Sequence, residues 1–217
     1  MTTSANTCVY SAPAAENLVL ADTTRITLRP VGPDDPGALA GLFARLGPES
    51  RRARFFLPKH ELSARELTYF TDIDHRHHEA IAAINQRDDS FVGVARYVGV
   101  TGRPGVAEVA IEVADVFQRR GIGSALTSLT IQRAHANGLT LLTATTLWEN
   151  RAARGLLRRY GFRARHSRGG EIQHELRLAE LALPRAKTQP RLQHDQVSRA
   201  NIQTSGTESP SGSERPR

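Results

Sequence analysis

From Ala107 to Val113 the chain alternates strictly. Ala107, Val109, Ile111 and Val113 fall on one side, and Glu108, Ala110 and Glu112 on the other, as in a strand with one buried face. After a short loop, Gln118-Arg119-Arg120-Gly121-Ile122-Gly123 opens a helical pattern in which Ala125, Leu126 and Leu129 recur. This strand–loop–helix unit constrains the fold most. Glycines at such a turn let backbone N–H groups approach an anion, and the helix N-terminus adds the positive end of its dipole, which together make a seat for a pyrophosphate. Two familiar phosphate folds are excluded. A dinucleotide fold wants a small residue three places after Gly123, where Leu126 stands. A P-loop needs Gly-Lys-Ser/Thr, which does not occur. Taken alone, Gly-x-Gly is equally a tight turn into a helix.

Around this unit two periods alternate. Ile26 to Val31 reads as a strand, and Asp34, Asp35 and Pro36 start a helix with Leu39, Leu42, Phe43 and Leu46 on one face, a carboxylate serving as cap. Ser63 and Glu66 form a capping box for a second helix with Leu67 and Phe70. Strands follow at Ala80–Asn85, Phe91–Val98 and Ala107–Val113, then the helix from Ile122 to about Gly138 and a strand at Leu141–Leu147. A last helix, Asn150–Tyr160, is closed by Gly161 and leads to a hairpin of Phe162–Arg165 and Ile172–Leu178 around Gly169-Gly170. The order β-α-α-β-β-β-α-β-α-β-β predicts an α/β domain: a single mixed, mostly antiparallel sheet of about seven strands flanked by four helices. The domain is expected over 23–182. Residues 1–22 and 183–217 are small, polar and Pro-rich, and they read as disordered tails.

Composition narrows the function. No apolar run approaches the roughly 18 residues that cross a bilayer, the first twenty residues lack the pattern of a signal peptide, and the single cysteine, Cys8, excludes a disulfide framework or a Cys-based zinc site. A cytoplasmic setting is expected. The formal charge is +7, carried almost wholly by arginine, since Lys59 and Lys187 are the only lysines. Such a surface favours anionic partners, a phosphorylated cofactor or nucleic acid. The lack of aromatics interleaved with the basic residues argues against nucleic acid.

The motif Gln118-x-x-Gly121-x-Gly123 resembles the Gln/Arg-x-x-Gly-x-Gly/Ala signature of the Gcn5-related N-acetyltransferase (GNAT) superfamily, and Asn150-x-x-Ala153 with Gly161-Phe162 resembles its second motif at the matching spacing. The resemblance covers roughly Arg25 to Leu178. Within the superfamily the chain is most similar to the catalytic domains of Pat-type bacterial protein lysine acetyltransferases, on Leu28-Arg29-Pro30, Pro48-Glu49-Ser50-Arg51 through Arg54-Phe55-Phe56, Thr71-Asp72-Ile73-Asp74 and Ala107-Glu108-Val109-Ala110. The resemblance implies a GNAT fold, acetyl-CoA as co-substrate, no metal, and an amine acceptor, a protein lysine first of all. The alternatives are a small-molecule amine as acceptor, and a non-catalytic acyl-CoA-binding sensor.

The same resemblance assigns residues. A lysine ammonium is neutral in fewer than about one molecule in a thousand at pH 7, so transfer needs a general base; Glu108 matches the glutamate of Pat-type enzymes. Glu112, on the same strand face about 13 Å along, is the rival. The structural alternative for Glu108 is a cross-strand pair with an arginine such as Arg96. Val113, Gln118, Arg119, Arg120, Gly121, Ile122, Gly123 and Ser124 match the strand end and loop that hold the cofactor. Asn150 matches a contact to the cofactor arm, with helix capping as its alternative. Many relatives carry a tyrosine seven residues after that asparagine. Leu157 stands there instead, while Tyr160 reads as core or helix end. Arg151, Arg154 and Arg158 form a stripe that reads as a solvated face, with a cofactor 3′-phosphate as the other use. The cluster His75, His77 and His78 beside Asp72 and Asp74 has no zinc spacing.

Overall fold

The computed structural model describes residues 15–181. Runs of β-branched and small apolar residues give strands β2 (Arg25–Pro30), β3 (His78–Asn85), β4 (Ser90–Gly99), β5 (Val106–Val113) and β6 (Leu141–Leu147), while more polar segments give β1 (Glu16–Val19), β7 (Arg163–Arg168) and β8 (Glu171–Arg177). Between them lie helices α1 (Pro36–Ala44), α2 (Pro48–Phe55), α3 (Ala64–Thr71), α4 (Ile122–Ala136) and α5 (Arg151–Arg159). The strands form one sheet in the order β1-β2-β3-β4-β5-β6-β8-β7. Every neighbouring pair is antiparallel except β5–β6. The mixed, mostly antiparallel α/β sheet is the one the sequence implies, with one strand and one helix more.

Two layers of side chains hold the sheet. On one face Ile122, Leu126 and Leu129 of α4 pack on Ile26, Leu28, Ile81, Ala83 and Ala95, while Ile131 and Ala134 of α4 and Leu157 of α5 pack on Tyr97, Ala107, Val109, Leu142 and Leu176. On the other face Leu39 and Leu42 of α1, with Leu67 and Phe70 of α3, cover Val31, Ala80, Ala82 and Val94. Ile122 and Leu126 are almost wholly buried, each contributing about 2 kcal/mol of apolar burial. Alternation along β5 therefore sends Val109 and Ile111 toward α4, and Glu108, Ala110 and Glu112 toward the face that carries α1 and α3.

Three expectations are corrected. Part of the presumed N-terminal tail belongs to the sheet: Glu16–Val19 pairs with Leu28–Arg25, and Leu20 is buried at the turn that follows. An edge strand with three of its four residues exposed carries little apolar alternation to read. The remaining tail residues, 1–14 with Cys8 and 182–217, lie outside the described residues. The extra helix is α2, which has no buried residue and so no apolar stripe, although Pro48 and Glu49 suit a helix start. Finally, Asp35 stands at the N-cap of α1 but makes no side-chain cap bond. Its carboxylate takes both guanidinium nitrogens of Arg29 at 2.7 Å and the Gly32 N–H at 2.8 Å. The Ser63–Glu66 capping box of α3 is present in both directions.

Candidate active site

The parallel pair β5–β6 is short. Val106, Ala107 and Glu108 register with Leu141, Leu142 and Thr143, and there the pairing stops. Both strands continue with their other neighbours, β5 beside β4 to Val113 and β6 beside β8 to Leu147. Over Val109 to Val113, roughly 16 Å at strand rise, the edge of β5 that faces β6 has no strand partner. A splayed edge of this kind offers backbone N–H and C=O groups to a ligand laid along it. Glu108 stands at the fork.

The far end of the splay runs into the start of α4. Gly121 is the N-cap with φ +96°, and Arg119 before it is also left-handed at +63°. A Cβ on Gly121 would meet nothing within 4 Å, so glycine is required there by backbone conformation and not by space. At Gly123 a Cβ would touch Leu156 Cδ2 at 3.5 Å, where α4 meets α5. Ile122 is buried, which leaves its backbone as what it can offer a ligand. The four free N–H groups of a fifteen-residue helix point out of this turn, with the dipole behind them.

The two acidic residues on the outer face of β5 stand in different surroundings. Glu108 is exposed, and its Oε1 accepts a long hydrogen bond from the Thr145 hydroxyl at 3.4 Å. Glu112 has a side chain only 9% exposed and is bound in an ion pair to Arg54 Nε of α2. Arg96, the partner that the structural alternative gave to Glu108, is engaged elsewhere. It is buried, donates to the Phe70 carbonyl at 3.2 Å, lies 4.3 Å from the Phe70 ring centre, and feels the charge of Glu112. Burial, partly offset by Glu112, brings its pKa down to about 10. His78 Nε2 sits 3.4 Å from Arg96, and burial, with that positive neighbour, pushes the imidazole down to about 4. His78 is therefore neutral at pH 7. His75 and His77 bind Glu79 and Asp74 at 2.8 and 3.1 Å. Among the described residues no group of three or more His, Cys, Asp or Glu side chains gathers as a metal site would need.

The residues that resemblance assigned to the cofactor are brought together at the splay, several with local partners. Gln118 donates to the Val113 carbonyl at 3.0 Å, to Asp115 at 3.1 Å and to Ser50 at 3.2 Å. Arg120 pairs with Asp22 at 2.8 Å and lies over the Phe117 ring. The Ser124 carbonyl accepts the Tyr160 hydroxyl at 2.6 Å, which ties the end of α5 to the first turn of α4 and gives Tyr160 its structural place. Asn150 caps α5, accepting the Ala153 N–H at 3.0 Å. Arg119 is exposed.

Sequence reasoning missed Arg54, Asp115 and Thr145. Asp115 accepts the Gly47 N–H at 3.1 Å and the Ser50 hydroxyl at 2.6 Å, pinning the start of α2 beside the loop that leads into α4. These contacts link residues 37 to 68 positions apart, and no periodicity within a segment carries them.

A family model described as acetyltransferase (GNAT) domain matches residues 25–163. An acetyltransferase from Pseudomonas aeruginosa is 30% identical over 145 residues, 66% of this chain and 77% of the relative. Among solved structures, the GNAT domain of S. lividans PAT is 28% identical with a TM-score of 0.71, covering 77% of this chain and 99% of that one. A putative acetyltransferase from Salmonella typhimurium, solved with its cofactor acetyl-CoA, is similar at a TM-score of 0.58 over 74% of this chain and 98% of its own. At 18% identity it speaks to the fold alone.

Proposed function

Because the chain belongs to the acetyltransferase (GNAT) family, we propose that it moves an acetyl group from acetyl-CoA to a primary amine, foremost a lysine side chain of a protein, with Glu108 as general base. The observation that carries this reading is the splay. β5 and β6 part directly after Glu108, and the unpaired edge leads to the glycine-started helix α4. A thioester arm laid along Val109–Val113 would meet backbone donors, with its pyrophosphate on the N–H groups around Gly121 to Ser124. Gln118 fixes the strand end by holding the Val113 carbonyl.

The chemistry then follows from these residues. Glu108 takes a proton from the acceptor ammonium, and the freed amine attacks the thioester carbonyl carbon, forming the C–N bond. Fixed N–H donors of the splayed edge stabilise the resulting oxyanion. Collapse breaks the C–S bond, the CoA thiolate leaves, and the nitrogen loses its second proton to solvent. Leu157 occupies the position where many relatives offer a tyrosine to the departing sulfur, and it is buried in the core, so the thiolate takes its proton from water. Glu112 is the weaker candidate for the base: its side chain is only 9% exposed and is held in an ion pair by Arg54, so it does not face an incoming amine as Glu108 does. An exposed base suits an acceptor presented on a protein surface, and similarity to the PAT domain over 99% of that domain's length supports the lysine reading.

The test is Glu108→Gln. Acetyl-CoA affinity, measured by calorimetry, stays unchanged while turnover falls about 100-fold or more, as loss of a general base dictates. Undiminished turnover would remove Glu108 from the mechanism. Mass spectrometry of candidate proteins and of small amines after incubation with acetyl-CoA separates the two acceptor classes.

A further inference from the structure

A groove of about 520 Å³ lies between α5 and the β7–β8 hairpin, and acetyl transfer as described makes no use of it. Arg151, Arg154 and Arg158 line it from α5, Arg165 and His166 from β7, together with Trp148. On a 3.6-residue helix these three arginines fall nearly opposite Leu156, the side chain that meets Gly123 at the start of α4. The groove is thus on the other side of α5 from the splay.

Its charge is one-sided. From Asn150 to Gly170 the chain has seven arginines and no Asp or Glu. Arg165 has a partner in Glu175 at 3.0 Å. Among the described residues no carboxylate pairs with Arg151, Arg154 or Arg158. Three like charges spaced i, i+3 and i+7 on one face cost a helix a few tenths of a kcal/mol per adjacent pair, and no carboxylate of the described residues offsets that cost with an ion pair. Trp148 is 58% exposed, and the Arg154 guanidinium lies 4.5 Å from its ring centre while donating to its carbonyl.

Guanidinium forks match phosphate oxygens in pairs, and an exposed indole offers a flat face to a base. The volume is in the roughly 300–1,000 Å³ range of small-ligand sites, and a nine-residue helix gives a wall of only about 14 Å, long enough for one nucleotide with its phosphates. We propose that this groove is a second ligand site that takes a nucleoside polyphosphate, its phosphates on the α5 arginines and its base beside Trp148. The same chemistry could come from a free nucleotide or from the phosphorylated adenosine end of CoA, and the assignment is to a free nucleotide.

Trp148 is the only tryptophan, so its fluorescence reports on the groove directly. The experiment titrates ADP and ATP into the full chain already saturated with CoA. Saturable quenching with CoA in place is expected, weakened about ten-fold or more by Arg158→Glu and less by Arg158→Gln. Both variants should keep the circular-dichroism spectrum and acetyl transfer of the parent. Retained transfer separates failure here from failure of the acetyltransferase reading. Competition between ADP and CoA for one site would assign the groove to the cofactor and overturn the proposal. Quenching by a short RNA but not by ADP would overturn it too, as would quenching by ADP that Arg158→Glu leaves unchanged.

Discussion

Helices α2 and α5 are short, arginine-rich and differently held. In α2 each arginine is engaged with its own chain. Arg51 donates to the carbonyls of Leu46, His60 and Ala44 and lies over Phe43, Arg52 pairs with Glu149 at 3.2 Å, and Arg54 binds Glu112. In α5 the face Arg151, Arg154 and Arg158 has no carboxylate partner among the described residues. The reason is the anchor. Helix α5 buries Leu157 and is capped by Asn150, so apolar packing holds it without ion pairs from this face. Helix α2 has no fully buried residue; beyond the Phe55 ring on Phe43, polar contacts hold it against β5. One residue type thus fastens one helix through ion pairs to distant carboxylates and, among the described residues, stands without a carboxylate partner on the face of the other, where Arg154 meets the neighbouring Trp148.

Breaking the fastener should have the largest effect. Arg54→Ala leaves the Glu112 carboxylate, nine-tenths buried, without its direct partner, a change that costs about 3 kcal/mol. Urea denaturation should show this loss. Glu112→Gln should partly suppress it, with a coupling of about 1 kcal/mol or more in the double-mutant cycle. Additive effects would mean that α2 does not depend on this pair.

A smaller loss is expected at the other end of the same helix. Asp115→Ala removes the acceptor for Gly47 N–H and the Ser50 hydroxyl and one of the three partners of Gln118. These bonds are exposed, so the cost is about 1 kcal/mol. Loosening Gln118 from the strand end should also weaken acetyl-CoA binding, measured by calorimetry. Affinity equal to the parent's would mean that the Val113 carbonyl is held well enough without Asp115.

The comparison also explains what could be read from sequence. Strands β3 to β6 and helix α4 announce themselves, because Ile81, Val94, Val109 and Leu126 obey a local period set by burial. Gly121 was legible for the same kind of reason, a backbone demand that only glycine meets easily. Helix α2 was not, since Pro48–Phe55 has no buried face and is fixed by Glu112 and Asp115 from far along the chain. β1 escaped because an exposed edge strand draws its order from pairing with β2 and from the buried Leu20. At the site, Glu108 and Glu112 look alike in an alternating strand. What separates them is Arg54, one ion pair away through space, which no spacing rule on β5 can supply. The groove behind α5 had its arginine stripe in view, yet a stripe reads equally as solvated until the opposite wall, Arg165 and His166, is placed beside it.

The smallest effect should have the opposite sign. Arg151 is the first residue of α5, where the helix dipole already disfavours a positive charge, and Arg154 stands one turn on. Arg151→Glu removes a repulsion, places a negative charge at the N-terminus and creates an attraction at i, i+3. Each contribution is worth about 0.3 kcal/mol, so the variant should gain between about 0.5 and 1 kcal/mol at low ionic strength. The gain should shrink at 1 M salt, where charges beyond about 3 Å are screened. Losing an arginine would then destabilise the fold at α2 and stabilise it at α5, and the α5 gain would come with weaker ADP quenching of Trp148. A residue whose removal helps folding and harms ligand capture is placed for the ligand. If Arg151→Glu instead lowers the unfolding midpoint, the α5 face is bound to the chain after all, and the contrast between the two helices disappears.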